Sequence, residues 1–233
     1  MKTVFLFCFF CLSTFLIGQN NSFEIYGSAN HSGFTNAIID FDKVLSVGFG
    51  VGYNYGINEK LQLTAGLRFA DYVNEYSNDD LRWGTQHDGQ GGFDSTIVDG
   101  EGISGLTFKH HYYFLEMPLG IKYYLIDKKA KLFLEPTLNP SLFLTHRTDI
   151  NVRMNDSDDI NEIDSGGYTD LRRINVFGEM GIGLQIPLFK NMDLQIRTSG
   201  RMQLMDAANN SATGAKLYSW AAKVGFVYLL KKN

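Results

Sequence analysis

The sequence predicts an all-β protein, an eight-stranded antiparallel up-and-down transmembrane β-barrel. Three observations lead to this prediction: apolar and polar residues alternate along eight segments, most segments are long, and the connections between them alternate between short and long. Alternation with a period of two places one set of side chains on each face of a strand. An ordinary strand has about 5–6 residues, whereas a tilted strand needs about 9–11 to cross a bilayer.

The alternating segments follow one another from residue 22 to residue 230. The stretch DLQIRTSGRMQLM (193–205) shows the pattern most clearly, because Leu194 and Ile196 alternate with Gln195 and Arg197. The other seven are SFEIYGSANH (22–31), SVGFGVGYNYGI (46–57), LQLTAGLRFADY (61–72), YYFLEMPLGIKYYL (112–125), KLFLEPTLNPSLFLT (131–145), INVFGEMGIGLQIPL (174–188) and YSWAAKVGFVYLL (218–230). Each segment therefore has one apolar face and one polar face.

The connections sort into two classes. Those after the second, fourth and sixth segments are short, at 58–60, 126–130 and 189–192, whereas the others are longer and the longest span 73–111 and 146–173. Short turns at one end and long loops at the other are typical of bacterial outer-membrane barrels. The alternative is a ten-stranded barrel, in which part of the first long connection folds as a further hairpin.

The apolar face could point inward, as in a soluble lipocalin-like barrel, or outward into lipid. Glycines crowd the polar face, as a narrow lumen requires, and aromatic residues of the apolar face collect near the strand ends, as interfacial girdles do. These aromatics are Phe23, Tyr53, Tyr55, Tyr123 and Tyr228 at one rim, and Phe69, Tyr113 and Trp220 at the other. We therefore expect Leu194 and Ile196 to contact lipid, and Arg197 and Arg201 to point into the barrel.

Nine charged residues fall on the polar face and are predicted to form a structural ion network in the lumen. They are Glu24, Arg68, Glu116, Lys122, Glu135, Glu179, Arg197, Arg201 and Lys223. Near balance between the two signs is expected, because an uncompensated charge in a narrow interior is costly. Depth counted from the turns predicts the pairs Arg68 with Glu116, Lys122 with Glu135, and Glu179 with Arg201. Such pairs would plug the lumen and fix the strand register.

The bulk composition suits one folded domain of 233 residues. Hydrophobic residues make up 44% and charged residues 20%, and four prolines without a repetitive tract argue against a disordered chain. The aromatic share of 14% and the 24 glycines are both high for a soluble enzyme.

The first twenty residues are predicted to be a targeting segment. MKTVFLFCFFCLSTFLIGQN combines one lysine, an apolar run from Val4 to Ile17 and a small residue near its end, which matches a secretory signal peptide. We therefore expect a signal peptide at 1–20 and the barrel domain at 21–233. Both cysteines lie in the signal segment, so the mature chain would have no disulfide and no thiol chemistry.

Three stretches resemble a known family. The run YYFLEMPLGIKYYL (112–125) resembles the YxEIPLxxKYY strand of the outer-membrane β-barrel family typical of Bacteroidetes, which includes PorT-like proteins. KVGFVYLLKK (223–232) is similar to the last strand of that family, and DLRWGTQHDGQGGFD (80–94) to a loop of some members. The resemblance implies an outer-membrane barrel over the mature chain and a link to type IX secretion through PorT itself. The chain departs from the pattern by ending in KKN, which displaces the aromatic assembly signal to Phe226 and Tyr228.

No motif predicts a metal or a cofactor. His110 and His111 are adjacent on a strand and therefore point to opposite faces, so that they cannot chelate one ion together. The acidic stretch NDSDDINEID (155–164) fails the spacing of an EF-hand, because Ile160 and Asn161 stand where a ligand and a glycine are required. We predict hydrated loop and rim residues at these positions.

Barrels of this size include enzymes that modify lipid A, which would need a serine, a histidine and an acid to converge at one rim. His31, His146, Ser28 and Ser141 supply the residue types, but no motif places them together. We therefore predict no enzymatic activity, and a rim enzyme acting on lipid A remains an alternative.

Charge is sorted between the two ends of the predicted barrel. Acidic residues predominate in the long connections, and lysines predominate at the short turns. The acidic surface disfavours nucleic acid and suits a basic ligand or the divalent cations of the outer leaflet. We predict a non-enzymatic protein embedded in outer-membrane lipid with periplasmic termini. Its long acidic extracellular loops would bind a ligand or an envelope protein, or support envelope integrity; the alternatives are a small channel and a secretion-associated PorT-like component.

Overall fold

The computed structural model describes residues 21–35, 42–78, 103–154, 159–164, 171–207 and 215–230. These ranges form eleven strands: β1 (Ser22–Phe34), β2 (Asp42–Lys43), β3 (Leu45–Gly56), β4 (Leu61–Asn78), β5 (Ile103–Glu116), β6 (Leu119–Asp127), β7 (Lys131–Met154), β8 (Ile160–Asp164), β9 (Ile174–Phe189), β10 (Met192–Gln203) and β11 (Leu217–Leu229). In the same ranges no helix is long and apolar enough to cross a membrane. The all-β prediction is confirmed.

Eight spans close into a ring. From β1 the antiparallel order runs through β3, β4, the pair β5 and β6, then β7, β9, β10 and β11, and β11 pairs with β1 again. Closure satisfies the backbone N–H and C=O groups that an open edge would expose to lipid. The fold is therefore the predicted antiparallel up-and-down barrel.

One span of the ring is interrupted. β5 and β6 occupy the same position between β4 and β7, and they are separated by Met117 and Pro118. Proline has no N–H and cannot donate to a strand ladder. The carbonyl of Pro118 still accepts a hydrogen bond of 3.0 Å from the amide of Gly66, and the amide of Met117 donates to the carbonyl of Pro140 at 2.8 Å. The backbone hydrogen bonding of the wall is thus continuous across the interruption.

The predicted bounds of the two longest loops, 73–111 and 146–173, are partly wrong. β4 and β5 stay paired as far as Asn78 and Leu106, and β7 continues to Met154 with β8 paired against it. These pairs extend existing spans beyond the ring and add no new spans to it. The prediction ended the strands where the apolar face ended, but a ladder in water needs no apolar face to keep its hydrogen bonds. The remainder of these loops, at 79–102, 155–158 and 165–170, lies outside the described residues.

A β-bulge in β7 changes which residues face the lumen. Tyr113 is opposite Thr145 and Phe114 is opposite Phe143, so Leu144 is the extra residue. Before the bulge the buried positions of β7 include Asn139 and Ser141, and after it they are His146 and Thr148. The bulge therefore switches the inward positions from odd to even numbers, as an inserted residue in a ladder must.

Both ends of the described chain lie at the short-turn end of the barrel. Ser22 is opposite Leu229 in the ladder between the first and last strands. At the turn between β3 and β4, the side-chain oxygen of Asn58 accepts hydrogen bonds of 2.9 Å from the amides of Lys60 and Leu61. This is the local bonding by which asparagine stabilises tight turns.

The outer surface of the ring is apolar and the inner surface is polar. Ile196 is 46% exposed, whereas its neighbour Arg197 is 7% exposed. Large exposed apolar side chains surround the barrel, including Ile25, Val47, Phe49, Val51, Leu67, Met180, Ile182, Val224 and Phe226. Outward rim aromatics contact one another, as Phe23 and Tyr53 do with ring centroids 5.2 Å apart. A barrel in water would have the opposite arrangement, so this surface faces lipid.

Candidate functional site

The interior of the barrel is filled with charged side chains. All nine residues predicted for the lumen are buried, from Lys122 at 0% exposed to Glu179 at 8%. A tenth buried charge, Asp193, is 3% exposed and accepts a hydrogen bond of 2.7 Å from Gln185. Asp193 is not among the nine predicted lumen charges, although its position two residues before Gln195 places it on the inward face. With it, the described interior holds equal numbers of carboxylates and of lysine and arginine side chains.

Glu116 is the centre of one cluster. The Nε of Arg68 donates to its Oε2 at 2.6 Å, and the Nη2 of Arg201 donates to its Oε1 at 2.8 Å. The hydroxyl of Tyr72 donates to the same Oε1 at 3.0 Å, and the guanidinium of Arg201 lies 4.0 Å from the ring centroid of Phe177. Both carboxylate oxygens of this buried glutamate are therefore satisfied by charged donors.

Glu24 is the centre of a second cluster. The ammonium of Lys122 lies 3.5 Å from its Oε2, and both Gln195 and Arg197 donate to its Oε1, at 2.9 and 3.2 Å. Lys122 also donates to the side-chain oxygen of Gln195 at 2.9 Å, and Arg197 forms an ion pair with Glu135. The cluster links residues from four strands, β1, β6, β7 and β10, across the lumen.

Glu179 extends the first cluster across the barrel. Its Oε2 accepts from the Nη2 of Arg68 and from the amide of Asn139, both at 3.1 Å. Its other oxygen pairs with Lys223. The resulting network runs from β4 to β9 and β11, which are not neighbours in the ring.

One of the three predicted ion pairs is present, and two are wrong. Arg68 pairs with Glu116, as predicted. Arg201 is opposite Glu179 in the β9–β10 ladder, yet its guanidinium bonds to Glu116. Lys122 likewise bonds to Glu24 instead of Glu135. The reason is that the lumen is narrow, so a long side chain reaches the far wall as easily as the adjacent strand.

An aromatic layer lies beside the charged network, on the side away from the short turns. It comprises Ala70, Tyr72, Tyr112, Phe114, Phe177 and Leu217, with Phe34, Phe143 and Leu171 packed against them. The ring of Tyr72 lies 5.7 Å from that of Phe114 and 6.2 Å from that of Phe177. Sequence reasoning missed this layer. Its residues have the same strand parity as the lumen charges, which is the signal that could have identified them.

Two small cavities lie in the described interior. A cavity of about 30 Å³ lies among Glu24, Glu135, Glu179, Arg197 and Lys223. A second, of about 10 Å³, lies within the aromatic layer. A water molecule needs about 10–15 Å³ by such a measure, so the larger cavity holds about two waters. Neither is large enough to be a pore.

Two histidines meet at the mouth of the lumen, beyond the aromatic layer. His110 of β5 and His146 of β7 face inward with their rings 5.4 Å apart. Burial, followed by the nearby imidazole of His146, lowers the pKa of His110, so its neutral form is favoured at neutral pH. The adjacent His111 lies on the other face, where its Nδ1 is 2.9 Å from Asp71. The structure thus places the two adjacent histidines on opposite faces.

The residue types considered for a serine hydrolase are not brought together. His31 is exposed on the outer face of β1, whereas Ser28 is on its inner face beside Asn30. Ser141 donates to the backbone carbonyl of Asn175. The arrangement that acyl transfer needs, a serine hydrogen-bonded to an oriented histidine, is not formed by these residues.

The acidic stretch 155–164 is described only from residue 159. Its last five residues are the exposed strand β8, in which the amide oxygen of Asn161 accepts a hydrogen bond of 2.7 Å from Asn151. The described part of the chain contains no group of three or more His, Cys, Asp or Glu residues that could hold a metal ion.

Comparison with known proteins identifies the family. The model of the outer membrane protein beta-barrel domain matches residues 14–200. The chain belongs to this family. Membership places the protein in an outer membrane, in agreement with its lipid-facing surface.

Several solved outer-membrane barrels match this chain at low identity. Ail, the attachment invasion locus protein of Yersinia pestis, has a TM-score of 0.42 and 11% identity over 91% of this chain and 99% of Ail. Neisserial surface protein A has a TM-score of 0.42 and 11% identity over 88% of this chain and 96% of its own. The outer membrane enzyme PagL has a TM-score of 0.37 and 11% identity over 86% and 97%. No curated protein matches this sequence.

Proposed function

We propose that this protein is a non-conducting and non-enzymatic outer-membrane barrel that binds a ligand or an envelope protein at the end remote from its termini. The observation that supports the first part is the filled interior. Charged residues from strands that are not neighbours in the ring bond to one another across the lumen, as Arg201 does with Glu116 and Lys122 with Glu24, and aromatic rings pack next to them. Eight-stranded barrels have interiors that side chains can fill, and these side chains close the pore.

The binding surface consists of the strand extensions and the loops that they support. β4, β5, β7 and β8 continue beyond the ring as paired strands, so the described part of this end is a paired scaffold. The exposed strand β8 includes Glu162 and Asp164, and the connections around it are rich in acidic residues. A surface of this sign suits a basic ligand or divalent cations bound to lipid headgroups. In the orientation that we propose, this end is extracellular and the termini are periplasmic.

Conductance in planar bilayers tests the closed pore. The full mature chain is refolded, inserted into the bilayer and recorded, and insertion is checked separately by protection of its strands from protease. We expect no steady openings. Steady openings of defined size from inserted protein would contradict the proposal and favour the channel alternative. Binding is tested by a pull-down from envelope extracts with the intact barrel, using a variant with 155–170 shortened as the control.

A role in type IX secretion is a second candidate, and it is supported by the resemblance of 112–125 to the PorT-like strand. In the structure this run spans the break at Met117 and Pro118. A deletion strain that still secretes type IX substrates at the normal level would contradict this candidate. Mass spectrometry of lipid A from the same strain tests the rim-enzyme alternative, and our proposal predicts an unchanged lipid A profile.

A further inference from the structure

Three polar atoms form a small triangle at the mouth of the lumen. The Nδ1 of His110 lies 3.3 Å from the Nε2 of His146 and 3.1 Å from the Oγ1 of Thr148. The third side, from the Oγ1 of Thr148 to the Nε2 of His146, is 3.2 Å. All three atoms can donate an electron pair, because a neutral imidazole has one unprotonated nitrogen and a hydroxyl has two lone pairs.

The backbone register brings these residues together. His110 is directly opposite Thr148 in the β5–β7 ladder, and His146 is two residues earlier on the same strand face. The bulge at Leu144 turns both residues of β7 inward, because the residues before it face the lumen at odd numbers. Bulges are frequent next to functional sites, where they re-aim side chains. Without the bulge His146 and Thr148 would point away from the lumen.

The surroundings hold the rings in place. His146 and Thr148 are 4% and 6% exposed. The ring of Phe108 is parallel to that of His110 with centroids 6.2 Å apart, and the ring of Tyr112 lies 5.1 Å from that of His146. Packed rings lose little freedom when they bind an ion, so the donor atoms are preorganised.

The triangle has the dimensions of one face of a metal coordination tetrahedron. Ligands bound to zinc at about 2.0–2.1 Å with tetrahedral angles lie about 3.3–3.4 Å from one another. The three distances at the mouth agree with this to within a few tenths of an ångström. An ion just above the plane of the triangle would contact all three donors with little movement.

We propose that His110, His146 and Thr148 bind one divalent transition-metal ion of the zinc class at the mouth of the barrel, with water as the remaining ligand. Imidazole nitrogen suits Zn²⁺, Cu²⁺ and Ni²⁺, whereas Ca²⁺ and Mg²⁺ require sets of oxygen ligands. The aromatic layer separates the site from the charged network, so this proposal does not depend on the closed pore. The site would bind an ion that arrives from the end of the barrel opposite Ser22 and Leu229.

Calorimetric titration of the refolded full chain with Zn²⁺ in detergent tests the site. We expect saturable binding of one ion per chain, and no displacement of the ion by an excess of Ca²⁺. His110→Ala and His146→Gln should each weaken binding by about tenfold or more, because even the loss of an outer-shell partner costs about 10–100-fold. Thr148→Val, which removes the oxygen and keeps the shape, should weaken binding by a smaller factor.

His111→Ala is the matched control, because His111 is the next residue of the same strand and faces the other side. Circular dichroism of each variant verifies that the barrel is formed before the titration is interpreted. Absence of saturable Zn²⁺ binding by the wild-type chain would overturn the proposal. So would full binding by the folded His110→Ala and His146→Gln variants, or an equal loss in His111→Ala.

Discussion

At the scale of single residues, the interior charges are stabilised by shared partners. Glu116 accepts hydrogen bonds from Arg68, Arg201 and Tyr72, and Glu179 accepts from Arg68 and Asn139. Arg68 thus joins two carboxylates. A buried charge without a partner costs several kcal/mol. Removal of one member of the network therefore destabilises the protein by leaving the charges of its partners less compensated.

The substitution Arg201→Met tests this coupling. The methionine keeps much of the side-chain volume, but Glu116 loses one of its two charged donors and Phe177 loses the stacked guanidinium. We expect the free energy of unfolding to fall by about 3–5 kcal/mol, the range for breaking a buried pair. Urea unfolding in lipid vesicles measures it.

Arg147→Met is the control for that experiment. Arg147 pairs with Asp149, but the two side chains are 42% and 35% exposed. Exposed ion pairs contribute little to stability, so the free energy of unfolding should hardly change. Equal stability of the Arg201→Met variant and the wild type would refute the network. Labelling of an Arg201→Cys variant by a lipid-phase probe would refute the inward placement.

At the scale of strands, the wall depends on close backbone approach between β3 and β4. Gly66 is opposite Gly52. A Cβ atom at Gly66 would lie 2.5 Å from the carbonyl oxygen of Val51 and 3.2 Å from the Cα of Gly52. Both are backbone atoms and cannot move aside as a flexible side chain can. By contrast, a Cβ atom at Gly27 would meet nothing within 4 Å.

The pair Gly66→Ala and Gly27→Ala makes this a matched comparison. We expect Gly66→Ala to lower the free energy of unfolding by about 1–3 kcal/mol, the usual cost of overpacking. Gly27→Ala should change it little. The same urea titration in vesicles measures both. An equal effect of the two substitutions would show that the backbone of β3 does not restrict the size of the residue at position 66.

The strand extensions give a second prediction at this scale, which concerns orientation. Protease added to intact cells should cut within 146–173, at the connections around β8, because this end is extracellular in our proposal. The turn at 57–60 should stay intact until the outer membrane is permeabilised. Cleavage of intact cells only at the short turns would reverse the orientation. Mass spectrometry of the fragments identifies the sites.

At the scale of the whole molecule, the barrel has lipid outside and ion pairs inside. Whether an exposed position tolerates a charged side chain depends on whether lipid or water surrounds it. Ile196 lies in the middle of β10 on the outer face, whereas Ile163 lies on β8 beyond the ring. Both are exposed, at 46% and 65%. They differ in their expected surroundings, which are lipid for Ile196 and water for Ile163.

Ile196→Arg and Ile163→Arg distinguish these surroundings. An arginine on the lipid face near the bilayer midplane costs about 2–4 kcal/mol, whereas the same residue in water costs little. We therefore expect a large loss of stability in vesicles for the first variant and almost none for the second. Equal small effects would contradict the placement of Ile196 in lipid.

Much of this architecture was predictable, because along a strand without a bulge the face of a residue depends only on whether its position is odd or even. Glu24, Arg197 and Lys223 were assigned to the interior from this rule, and the structure buries all three. The same rule applied one step further would have included Asp193. Turn positions were predictable for a similar reason, since the residues that form a tight turn are adjacent in the chain.

The sequence by itself determined the fold class, the two faces of each strand and the nearly balanced charge of the interior. Only the tertiary structure decided which charges bond, how far the strands extend and where the bulge reverses the faces of β7. Arg201 bonds to Glu116 on another part of the ring, although Glu179 is its neighbour in the ladder. The meeting of His110 with His146 likewise depends on one inserted residue. Strand parity is a local property of the chain, whereas contacts across a lumen depend on the closure and stagger of the whole barrel.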